Sequence, residues 1–116
     1  MIYQKDWLMR QIESMIAAII LFLTHTPKQK DEVMTSQSLS DEIDHFLERG
    51  DICGAENWIY ENVDEQDVRW LHASVYFYKK INTYSDQYLT DHDFSRDEIL
   101  SGLTDISERF GFGHII

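Results

Sequence analysis

Asp67–Ile81 reads DVRWLHASVYFYKKI, and the placement of its large side chains decides the fold class. At about 100° per residue, Val68, Leu71, Val75 and Tyr78 form one stripe of a helix, and Trp70, Ala73, Phe77 and Ile81 form another on nearly the opposite side. A helix on the surface of a domain needs only one apolar stripe. Two stripes predict a helix packed on both sides, in the middle of an all-α domain.

Composition supports that expectation. A chain of 116 residues suffices for one domain with its own core. Hydrophobic content of 43% and aromatic content of 13% exclude a disordered chain, and one proline with five glycines favours helices over sheets. The formal net charge is −11, yet residues 1–30 hold Lys5, Arg10, Lys28 and Lys30 against Asp6 and Glu13. The whole negative balance therefore lies in residues 31–116, where it would repel a phosphate backbone, so nucleic acid is not an expected partner. The single cysteine, Cys53, excludes an intrachain disulfide and a Cys-rich zinc site and suits a reducing cytoplasm. Its place beside Gly54 and Ala55 predicts a small buried residue rather than a reactive thiol.

Towards the N-terminus from the central helix, Val63-Asp64-Glu65 is a break, and Asp64 with Asp67 can cap the central helix itself. Before the break lie two helices joined at Gly50-Asp51. One begins near Ser38 or Ser40, where Ser38 and Asp41 fit a capping box, and buries Leu39, Ile43, Phe46 and Leu47. Gly50 stops it, Asp51 caps the next, and Ile52, Ala55, Trp58 and Ile59 turn inward. So short a join implies an antiparallel pair. The segment KQKDEVMTSQS after Pro27 has little to bury and is expected to be a linker.

The opening helix, about Tyr3 to Leu23, carries Leu8, Ile12, Met15, Ile16, Ile19 and Leu23 at helical spacing. From Met15 the run MIAAIILFL is apolar all the way round. It is nine residues long, where a membrane span needs about 20. Asp6 and Glu13 spoil the basic start of a secretory signal, and Thr24-His25-Thr26-Pro27 is not a cleavage site. The remaining explanation is a helix covered on one side by its own domain and on the other by a second copy, with Ala17 and Ala18 permitting close approach. Reversible contact with a membrane surface is the lesser option, suited by Trp7 and nearby lysines.

Towards the C-terminus, Asn82-Thr83-Tyr84-Ser85 interrupts the pattern, and a short turn around Asp86–Asp91 would bring Tyr88 and Leu89 to the core. Ser95-Arg96-Asp97-Glu98 reads as a capping box, with Phe94 as a staple to Ile99. Ile99, Leu103, Ile106 and Phe110 keep helical spacing up to Gly111, and Phe112, Ile115 and Ile116 of the tail are expected to dock.

Little points to chemistry. Of His25, His45, His72, His92 and His114, no two stand at the i, i+4 spacing that aims imidazoles at one ion. Glu42 precedes His45 by three residues, the spacing di-metal bundles use, but once only. Asp41, Glu42, Asp44 and Glu48 read as a solvated face. Arg69, His72, Tyr76, Lys79 and Lys80 share the arc between the central helix's stripes, where acidic neighbours would neutralise them and Glu65 could begin the network at Arg69. There is no phosphate-binding loop, dinucleotide fingerprint, nucleophile elbow or zinc-finger spacing, and no cofactor is expected.

Parts of the chain resemble known families. Leu47–Tyr60, LERGDICGAENWIY, resembles the loop and helix of a tetratricopeptide-type repeat. Tyr3–Glu13, YQKDWLMRQIE, and Asp93–Ile99, DFSRDEI, with Gly102-Leu103 just beyond, resemble a family of small uncharacterised proteins of Gram-positive bacteria, a domain of unknown function. That resemblance implies a soluble, helical, tetratricopeptide-like protein, and the family brings no established activity with it.

The sequence thus predicts an oligomerisation arm at 1–26, a linker at 27–37 and stacked antiparallel helical hairpins at 38–116, about five main helices in all. The expected function is a cytoplasmic, non-enzymatic assembly module that forms a homodimer or larger homo-oligomer, with Leu8, Ile12, Ile16, Ile19, Ile20 and Leu23 at or near the contact. The competing expectations are a metal protein or enzyme using His45, Glu42 and His92, and a peripheral membrane protein held by the first helix.

Overall fold

In the computed structural model, which describes residues 5–24 and 37–111, all regular structure is α-helical. In chain order the helices are α1 (Lys5–Thr24), α2 (Gln37–Glu48), α3 (Ile52–Asn62), α4 (Val68–Ile81), the short α5 (Asp86–Asp91) and α6 (Arg96–Arg109). Pro27, the linker residues up to 36, His25, His114 and the tail residues Phe112, Ile115 and Ile116 lie outside the described residues.

Helix α4 is central, as its two stripes require. Leu71, Val75 and Tyr78 of one and Ala73, Phe77 and Ile81 of the other are all buried, while Val68 and Trp70 at its start are half-buried. It packs against both α2 and α6, and α1 lies along α6 and touches α4. Helices α2 and α3 pack on each other as a hairpin. The ends obey the local chemistry. Asp51 accepts from the Gly54 amide, Asp67 from Arg69 and Ser95 from Glu98, each filling an orphan donor of a first turn. Gly50 ends the α2 region at φ +75°, a conformation that strains residues with a Cβ. Ser85 caps α5, the short helical turn expected around Asp86–Asp91. Helix α2 is described from Gln37, next to the expected start at Ser38, and the Gln37 side-chain amide donates to Asp41.

One side of helix α1 packs on its own domain: Ile12, Met15, Ile16, Ile19 and Leu23 join one buried cluster with residues of α2–α6. Its stripe matches the surface left open along α6 and α4, and burial there removes it from water without a partner chain. Cys53 is exposed, because the buried stripe of α3 is Ile52, Ala55 and Ile59, and position 53 is one step round from it.

Candidate interaction surface

Six residues of α1 are expected at or near a contact between copies. The structure places five of them, Leu8, Ile12, Ile16, Ile19 and Leu23, in the chain's own interior, at 7% exposure or less. The sixth, Ile20, is half-buried. Any contact with another molecule must therefore use the remaining faces of the helix. On those faces Ser14, Ala17, Leu21, Phe22 and Thr24 are exposed, and Leu21 is 61% exposed, the highest value among the large apolar side chains of the described residues. From Ser14 to Thr24 no residue carries a charge, in a chain that is 27% charged.

Beside this face is a groove of about 350 Å³ between α1 and the end of α4. Met9, Ile16, Ala17 and Ile20 supply its apolar lining, Glu13 joins them from α1, and Lys79, Asn82 and Thr83 come from α4 and the residues just after it. Both Glu13 and Lys79 are exposed, and no ion pair joins either to another side chain among the described residues. Asn82 is held from behind. Arg96, at the first turn of α6, donates through Nη1 to Asn82 O (2.7 Å) and Oδ1 (3.0 Å), and through Nη2 to Tyr84 O and Asp86 Oδ1, both at 2.8 Å. One buried guanidinium thus satisfies the carbonyls where α4 ends and fixes the wall of the groove. Nothing in the sequence marked Arg96 for this task beyond its place in a capping signal.

The other basic residues of α4 and α6 are neutralised, though not as the spacing suggested. Arg69 pairs with its own cap residue, Asp67, and Glu65 instead lies 3.7 Å from Arg109. Lys80 Nζ donates to Asp44 Oδ1 (2.9 Å), which also accepts from Tyr76 Oη (2.6 Å). Burial alone would raise the Asp44 pKa, but the hydrogen bonds from Tyr76 and Lys80 outweigh it and hold the carboxyl below its ordinary value. These contacts tie α2 to α4.

A second concavity, about 360 Å³, is acidic and lined by Glu56, Tyr60, Glu98, Ser101, Gly102 and Asp105. The buried Tyr78 phenol donates to Glu56 Oε2 at 2.6 Å. Burial raises the Glu56 pKa, and the nearby Glu98 charge adds to it, against the opposing hydrogen bond from Tyr78. Burial likewise pushes the Tyr60 phenol up to about 12. Because the folded Glu56 holds its proton more tightly than the unfolded one, its contribution to stability is full below pH 4.5 and fades as the pH rises through the folded value. Urea midpoints measured from pH 4 to pH 8 are therefore expected to fall further for the wild type than for Glu56→Gln; parallel curves would contradict this reading.

The residues considered for metal chemistry do not converge. His45 Nδ1 lies 3.8 Å from Glu42 Oε1 on the exposed side of α2. His92 stacks on Tyr88, 4.0 Å between ring centroids, with Nδ1 2.7 Å from Tyr88 O. Among the described residues no three His, Cys, Asp or Glu side chains gather as metal ligands. Cys53 Sγ points at the His92 and Asp93 carbonyls (3.9 and 3.6 Å), not at an imidazole nitrogen. Burial and the surrounding carboxylates, Glu98 first among them, raise its pKa, the reverse of thiol activation.

Comparison with known proteins adds one finding. No curated protein and no solved structure matches the chain. A family model described only as a family of unknown function, DUF6483, matches residues 2–111. That span takes in both segments quoted for the resemblance and nearly the whole chain, so the protein belongs to family DUF6483.

Proposed function

We propose that this protein is a non-enzymatic assembly module that self-associates through the outer face of α1. The observation that supports the reading is the uncharged Ser14–Thr24 half of that helix, which stays exposed at Ala17, Leu21 and Phe22 beside an apolar groove. Exposed apolar surface of this kind marks a contact site more often than a solvated face. In this reading the α2–α3 hairpin stacks in a tetratricopeptide-like manner, supported by the tight Gly50-Asp51 join, and the module works in a reducing cytoplasm, supported by its one free cysteine.

Light scattering over a dilution series tests the reading. The expected mass is twice the monomer's 13.8 kDa. Leu21→Asp is expected to weaken association roughly hundredfold or more, the cost of losing one buried leucine from each of the two copies, with helicity unchanged. A wild type that stays monomeric at high concentration would end the proposal.

One observation favours a second reading, attachment to a lipid surface. Asp6–Thr24 is long and apolar enough to cross a membrane by length and composition, and only 33% of that window is buried. Co-sedimentation of the full chain with neutral and anionic vesicles tests it, and no pelleting with either would exclude it.

A further inference from the structure

We propose that the groove between α1 and the end of α4 receives a second copy of this chain about a two-fold axis, with Glu13 of each copy pairing with Lys79 of the other. The inference rests on the self-association reading and adds the surface, the symmetry and the charge pairs.

The chain holds 21 acidic residues against 10 basic ones, so a lysine has carboxylates in plenty to meet. Arg69 and Lys80 of α4 and Arg96 and Arg109 of α6 all form ion pairs within the chain. Lys79 forms none among the described residues, and it lines an apolar groove that also holds Glu13, a carboxylate likewise without an ion pair among those residues. A two-fold contact is isologous: where residue i meets j, j also meets i. A groove with one acidic and one basic side chain is therefore self-complementary, and a single rotation forms both pairs at once. Two grooves lined by like charges would repel instead.

The shape of α1 fits the same rotation. Ala17 is exposed and lines the groove, which lets a second α1 approach closely there. If two α1 helices cross antiparallel near Ala17, the residue four places after it, Leu21, falls opposite the one four places before it, Glu13. The largely exposed Leu21 of one copy then enters the apolar lining between Met9 and Ile16 of the other. The acidic balance of the whole protein would oppose association, so the two charge pairs also act as the attraction that sets register.

Charge reversal tests this with full-length protein. Sedimentation over a dilution series is expected to show Glu13→Lys and Lys79→Glu each dimerising roughly tenfold or more weakly than the wild type, since each replaces two attractions with two repulsions. The double variant, Glu13→Lys with Lys79→Glu, restores both pairs with signs exchanged and is expected to return to the wild-type affinity. An equimolar mixture of the two single variants is expected to form a heterodimer that neither forms alone, because one copy then carries two lysines and the other two glutamates at these positions. Both side chains are exposed, and matched circular dichroism verifies the fold. A wild-type dimer indifferent to all of these changes overturns the groove and leaves self-association standing. A monomeric wild type overturns both, whether or not it binds vesicles.

Discussion

Gly102→Ala is expected to destabilise the fold by about 2–4 kcal/mol, although alanine is the better helix former by roughly 1 kcal/mol. The glycine is buried in the middle of α6, where the ring of Tyr78 crosses it. A Cβ built there would stand 2.6 Å from Tyr78 Cζ and 2.8 Å from Cε1, with the hydroxyl closer still. Tyr78 has no room to withdraw. It is fully buried, its ring meets Phe77 edge-on at 4.9 Å, and its phenol is bound to Glu56. Overpacking of this kind costs about 1–3 kcal/mol, and the loss of a hydrogen bond to a carboxylate adds about 1.5–3 kcal/mol. Helix propensity offsets part of that sum. The melting temperature is expected to drop by roughly 10 °C or more for a domain of this size. Tyr78→Phe removes the closest atom, so the two substitutions together should cost less than their separate effects added. A melting temperature that rises on Gly102→Ala would show that α6 has room there and that the Tyr78 packing is wrongly understood.

Arg96→Met is expected to cost about 3 kcal/mol, because it leaves Asn82 O, Asn82 Oδ1 and Tyr84 O without the donor that now serves them. Methionine keeps much of the aliphatic bulk, so the loss reports on the guanidinium rather than on a cavity. The figure stays below the sum of the broken bonds because burying the cation already carries a penalty, visible in Nε, which is buried with no partner. Arg96→Lys should not rescue it, since one ammonium cannot reach acceptors spread over Asn82, Tyr84 and Asp86. Hydrogen exchange is the discriminating measurement. Residues 79–85 should lose protection first, because Arg96 fastens that segment to α6. Full stability in Arg96→Lys would remove the planar fork from the account. The same fastening holds Asn82 in the groove wall, so the variant also loosens the proposed contact surface.

The amino-acid order by itself determined the set of helices and most of their ends. The two stripes of Asp67–Ile81 marked α4 as central. Asp51, Asp67, Ser95 and Gly50 announced their turns because capping depends on atoms within a few residues of one another. The stripe of α1 was equally legible as residues that must leave water. Periodicity does not say what covers a stripe, and here α6 and α4 of the same chain lie against it. Cys53 was misplaced for a related reason: small neighbours hint at burial, but only the direction in which α3 meets its partners decides which side is wet.

Tertiary structure alone decided the rest. Arg109 meets Glu65, Tyr78 reaches Glu56, Arg96 closes the end of α4, and Met9 and Thr83 come to share a groove. Each of these joins residues from different helices or the loops between them, and such distances depend on packing angles and the register of one helix on another. Helical spacing carries information along one helix and loses it at the first loop.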